Sequence, residues 1–188
     1  GNTAVGMRAL TANTTASNNI SIGKDSMYAN TTGASNVAVG LSALQNNTTA
    51  SNNTAVGYTA LFANTTGYDN VAIGYQALDA NTTGYLNVCI GKSAGTALTG
   101  GVYANTIVGA TAATSMTSGI YNTALGQGSM QLGTSCSYNT GVGSGSLLRI
   151  GTGNYNIAVG HLAIENLTTA SQNTGVGYNC MNNLTTGG

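Results

Sequence analysis

Apolar and polar positions along this chain recur with a fixed beat of 17 residues. Positions 53–69 read "NTAVGYTALFANTTGYD" and positions 70–86 read "NVAIGYQALDANTTGYL". Anchored on an Asn followed four residues later by Gly, copies begin at Asn2, Asn19, Asn36, Asn53, Asn70, Asn87, Asn105, Asn122, Asn139, Asn156 and Asn173. Every step is 17 residues except that from Asn87 to Asn105, which is 18, with the extra residue in the turn near 95–104. A mostly small residue (Ile107 is the large one) and an aliphatic precede each Gly, as in Ala38-Val39 and Ala72-Ile73. A second pair follows, as in Ala43-Leu44, Ala60-Leu61 and Ala77-Leu78. Segments rich in Gly, Asn and Thr separate the pairs, which is turn chemistry.

Seventeen residues are too few for a helical hairpin repeat, which needs about 33. Short β-compatible segments between turns predict an all-β fold: a β-solenoid (a parallel β-roll) of eleven turns of about 17 residues, one copy per turn. Identical residues then stack into Asn and aliphatic ladders. At about 4.8 Å per rung the rod is about 50 Å long. The Gly fixed in every copy predicts a positive φ or a close backbone approach. Residues 1–188 read as a single repeat domain and as a segment of a longer fibre.

Adjacent strand residues face opposite sides. The Ala and Val of "AV" are therefore expected on opposite faces, as are the Ala and Leu of "AL". With the larger aliphatics inside, the small columns, such as Ala38, Ala55 and Ala72, are left outside. They would pack coils side by side as a homo-oligomer.

Composition narrows the function. Only 4% of residues are charged, with four basic and four acidic side chains. That argues against a nucleic-acid partner, because phosphate affinity comes largely from Lys and Arg. No apolar run approaches the roughly 18 residues of a membrane span, so no membrane insertion is expected. Cys89, Cys136 and Cys180 have neither disulfide-framework nor zinc-site spacing. They read as small buried fillers.

The stretch "NTAVGYTALFANTTGYDNVAIGYQAL" resembles the repeats of phage tail-fibre and related surface proteins built from "NTAVGYQAL…NTTG" units. It is similar, more distantly, to the head repeats of trimeric autotransporter adhesins, with their "VAIG"-like core. The resemblance covers the whole chain, most tightly Asn36 to Gly91. It implies a trimer of parallel rolls in a fibre on a virion or outside the cell.

Catalytic chemistry is sparse. The single histidine, His161, occupies a column where other copies have Tyr58, Tyr75 or Lys92. Asp69 and Asp79 fall in different columns, so no glycosidase-type acid pair is indicated. No enzyme and no cofactor or metal site are expected. Binding has better candidates. Ten tyrosines cluster in turn columns. Tyr58, Tyr75, Tyr178, Tyr68 and Tyr85 are the candidate glycan contacts, since Tyr offers an apolar ring and a polar tip. The competing reading is that they stack on one another along the rod. Thr rows offer an ice-type face, with Thr15, Thr32, Thr49, Thr66 and Thr83 as the candidate row. Only one of two adjacent rows can face out. The "NTT" blocks, such as Asn30-Thr31-Thr32, fit the N-glycosylation pattern, but a turn role is more economical.

The expected function is a structural fibre segment, extracellular or on a virion, supporting host attachment or adhesion and contacting cell-surface glycans. The partner is the chain itself, as a trimer. The alternatives are a monomeric solenoid with an ice- or carbohydrate-binding Thr/Tyr face, and a subunit that polymerises end to end through open strand edges.

Overall fold

The computed structural model describes residues 1–183 and contains β-strands and turns. The strands are β1 (Thr3–Val5), β2 (Ile20–Ile22), β3 (Val37–Val39), β4 (Thr54–Val56), β5 (Val71–Ile73), β6 (Val88–Ile90), β7 (Thr106–Val108), β8 (Thr123–Leu125), β9 (Thr140–Val142), β10 (Arg149–Ile150), β11 (Ile157–Val159), β12 (Asn166–Leu167) and β13 (Thr174–Val176). Eleven of them form one parallel sheet in the order β1 to β9, β11, β13. Strands β10 and β12 pair separately. Register is one copy per turn: Ala38 lies over Ala55, Ala55 over Ala72 and Ala72 over Cys89. The 18-residue turn keeps this register, with Cys89 over Ile107. The chain is thus a parallel β-solenoid, as the repeat predicted.

The side that faces inward is the reverse of the expectation. From β2 onward the middle residue of each strand of the long sheet, including Ala38, Ala55 and Ala72, is buried, while Ala4 in β1, at the end of the sheet, is exposed. The flanking β-branched residues point outward: Val5 is 57% exposed and Val176 70%. The second pair fills much of the inside, which leaves most copies room for only a small residue there; Ile107 fits in this column where Gly95 frees space beside it. Ala60 and Leu61 are both buried, so that pair does not alternate either. Leu61 has φ 53°, a left-handed turn conformation that swings its side chain inward beside Ala60. No strand runs through this pair; Ala60 N–H donates to Gly57 O (3.4 Å), closing a β-turn. Thr59, the third residue of that turn, has φ 48°, as a type II turn requires.

A typical turn therefore encloses Asn53, Ala55, Ala60, Leu61 and Asn64, all fully buried. Later copies look degenerate in sequence but conserve interior volume. Where Leu78 and Asn81 stand in one turn, the next turns carry Gly95 with Leu98, Ala113 with Met116 and Met130 with Gly133. One position shrinks as its neighbour grows, which a close-packed interior demands.

A third left-handed column precedes each anchor: Asp69, Leu86, Ala104 and Tyr121 have φ between 56° and 58°. Leu86 is 51% exposed, so its side chain gains little from burial while its backbone bears the left-handed penalty of about 1 kcal/mol. Leu86→Gly is expected to raise stability by roughly that amount, read by denaturant midpoint.

Candidate functional site

The polar side chains are organised into ladders along the rod axis. The anchor Asn ladder is continuous. Asn53 Oδ1 accepts the backbone N–H of Asn70 (3.0 Å) and its Nδ2 (3.2 Å). Asn70 Oδ1 accepts the same two donors from Asn87, each at 3.1 Å. A second ladder runs through Asn30, Asn47, Asn64 and Asn81, with Nδ2 to Oδ1 distances of 2.7, 3.0 and 3.0 Å. Both ladders meet on one carbonyl per turn: Gly67 O accepts Nδ2 of Asn53 (2.9 Å) and of Asn64 (2.8 Å). These four Asn of the "NTT" blocks are fully buried. The folded coil closes them to glycosylation.

The Thr columns separate into two kinds. Hydroxyls of Thr14, Thr31, Thr48 and Thr65 donate to the carbonyl of the Thr in the next turn, at 2.9–3.1 Å. The adjacent row, Thr15, Thr32, Thr49, Thr66 and Thr83, is exposed. One row faces out, as expected, and it lies on a turn as a single column.

The tyrosines stack. Tyr68, Tyr85 and Tyr103 lie face to face, with centroids 4.9 and 5.0 Å apart and planes within 6°. Tyr121, Tyr138 and Tyr155 continue the pile at 5.2 and 4.9 Å. The stack passes through the 18-residue turn intact, and in the following copy Tyr moves one residue closer to its anchor; the join there is an edge contact between Tyr103 and Tyr121 at 83°. Tyr58 stacks on Tyr75 at 5.2 Å, and His161 on Tyr178 at 5.6 Å. Ring faces that a sugar would use are thereby largely taken by neighbours. Ring edges and hydroxyls remain outside, together with Tyr178, 75% exposed. Burial by its stacked neighbours, followed by their mutual repulsion when ionised, raises the Tyr138 phenol above its ordinary value.

Charged groups are few. Arg8 Nε donates to Asp25 Oδ1 at 2.6 Å, and the Arg8 guanidinium sits 5.2 Å from the Tyr28 ring centroid. This partner holds the Asp25 carboxyl below its usual value. His161 Nδ1 lies 3.1 Å from Ser144 O. Among the described residues no three His, Cys, Asp or Glu side chains converge as a metal site. No described helix is long and apolar enough to cross a membrane.

Asp79 Oδ1 is buried and finds no hydrogen-bond partner among the described residues. Burial, the larger effect, raises its carboxyl above the ordinary value against the backbone bonds that lower it. A raised folded pKa means the native state holds the proton more tightly than the unfolded chain does. That contribution is present at low pH and is lost as pH climbs through the folded value. Asp79→Asn is therefore expected to raise the melting temperature at pH 7 and to change it little at pH 3.

Cys89 and Cys136 are buried and free, and Cys180 is half-buried. Burial pushes the Cys136 thiol up to about 12 and raises Cys89 as well. The thiolate is the reactive form. A disulfide reagent at pH 8 should titrate Cys180 in the folded protein and reach Cys89 and Cys136 only on unfolding.

No protein-family model, curated protein or solved structure matches the chain. The site residues read from the sequence thus stand on geometry. The tyrosines are brought together, though mainly with one another. Absent from the sequence reading is the outward face of the long sheet, formed by columns such as Val39, Val56 and Ile73. Their β-branched character was visible, but three-residue strands apolar on both faces carry no mark of which face is inside.

Proposed function

We propose that this chain is a load-bearing structural segment of a fibre, extracellular or on a virion surface, that supports attachment or adhesion. It performs no catalysis. One observation carries the reading: the side-chain chemistry is spent along the rod axis. Asn amides, Thr hydroxyls and Tyr rings each engage the equivalent residue one turn away. Such ladders resist bending and fraying, and among the described residues they leave no ligand-sized cavity between turns. The resemblance to tail-fibre and adhesin-head repeats points to three coils side by side. Glycan contact, where the fibre makes it, runs through Tyr hydroxyls and ring edges.

Light scattering on the chain tests this. A mass of three times 18.6 kDa at micromolar concentration is the expected result, with melting unchanged by a panel of oligosaccharides. A mass of 18.6 kDa at every concentration would sink the assembly. A saturable glycan-induced rise in melting temperature that Tyr58→Ala abolishes would replace the structural role with a binding one.

A further inference from the structure

The long sheet carries an outward face that the ladders do not use. It consists of two parallel columns, from Thr3 to Thr174 and from Val5 to Val176, one residue of each per strand. Every one of these residues is β-branched except Leu125, and none is charged. Its residues are half-buried along most of the rod, as at Val39 and Val56, and more open elsewhere: Ile20 is 41% exposed, Ile73 37% and Ile157 44%.

Strand propensity does not account for it. Thr satisfies a β-strand as well as Val or Ile does, and Thr occupies much of the first column. The second column holds no Thr in any copy. A sheet with one face in water ordinarily turns polar residues outward. The exposed column two residues further on shows what unconstrained positions do here: it reads Lys24, Tyr58, Lys92, Gln127 and His161 in different copies. The apolar column stays constant while its exposed neighbour drifts, so the apolar column is constrained by something it touches.

We propose that this face is where the coil packs against further copies of itself, the faces of three coils turned toward a shared axis. The proposal rests on the structural-segment reading and supplies its contact surface. Two features select further copies as occupants. A row of β-branched ridges at about 4.8 Å spacing is met in register along its length by a surface of the same spacing, which another coil provides. The absence of charge leaves nothing to repel an identical face. The size also suffices. A face about 50 Å long and about 12 Å wide offers roughly 600 Å² per copy, or about 1,800 Å² over three copies, within the range of stable interfaces.

Val39→Lys, Val56→Lys and Ile73→Lys combined in the whole chain test the proposal. These side chains point outward, so far-ultraviolet circular dichroism should be retained while the mass by light scattering falls to 18.6 kDa. Thr49→Lys, Thr66→Lys and Thr83→Lys, on the exposed turn row, should leave the mass of the parent chain. A milder variant, Val56→Thr with Ile73→Thr, keeps β-branching and should weaken association at least tenfold. An assembly that survives both face variants overturns this surface while the fibre reading stands. Loss of assembly in the turn-row variant alone does the same. A parent chain that is monomeric throughout overturns the fibre reading itself, and the surface with it. Ice-growth inhibition by that monomer, lost in the face variant, would assign the same columns to a crystal surface instead.

Discussion

Gly57→Ala is expected to be the most damaging single substitution in the coil, costing about 4 kcal/mol or preventing cooperative folding. Gly57 has φ +135°, a region L-residues rarely enter. A Cβ there would land on the carbonyl oxygen of Gly74, the equivalent residue one turn on. Backbone strain of about 1–3 kcal/mol adds to an overpacking cost of about 1–3 kcal/mol, and the neighbour is backbone, so relief requires separating two rungs. The same geometry recurs at Gly23, Gly40 and Gly74. Gly101→Ala is the control. It lies in the 18-residue turn with φ +76°, and an added Cβ meets nothing within 4 Å. Only the left-handed penalty of about 1 kcal/mol applies. Urea unfolding of the two variants measures the difference. Equal costs would mean that the close approach of successive turns does not limit the fold.

Asn70→Ala should rank next, at about 3 kcal/mol. The amide is fully buried and makes four hydrogen bonds to three neighbours: it accepts from the backbone and side chain of Asn87 and donates to Asn53 Oδ1 and to Gly84 O (2.8 Å). Some partners have a second bond. Gly84 O keeps Asn81 Nδ2, at 3.2 Å. The Asn87 N–H has no substitute, and an orphaned buried donor costs about 1–3 kcal/mol, to which the vacated volume adds. Asn173→Ala, at the far end of the ladder and half-buried, should cost less than half as much. Chemical denaturation of both variants checks the gradient along the rod.

What was legible in the sequence follows from which constraints repeat. Asn70 and Gly74 recur unchanged because each must match a copy of itself one turn away, so period, register and ladders could be read directly. The Tyr stacks were legible for the same reason. Ala38 and Val39 are different. Both are apolar, and the three-residue strand between turns is too short for a hydrophobic period to say which is inside. Leu61 defeats strand reasoning altogether, because its inward direction depends on a left-handed backbone that Leu seldom adopts. The second half looked eroded between Gly100 and Ile150, since volume compensation, such as Gly95 with Leu98, preserves packing without preserving letters.

The uneven interior has a consequence for how the chain finds its fold. Were all rungs identical, a nascent coil could loop out one whole copy and stack the next in its place at little energetic loss. The turns holding Gly95 with Leu98 and Ala113 with Met116, together with the lengthened loop before Asn105, break that degeneracy. Looping out the copy that holds Gly95 and Leu98 would lay Leu78 next to Ala113 and Asn81 next to Met116, neighbours of different volume and polarity from the native ones. The irregular middle therefore acts as a keyed tooth in an otherwise uniform zip: the flanking copies can close quickly and interchangeably, but only one alignment lets the two halves meet.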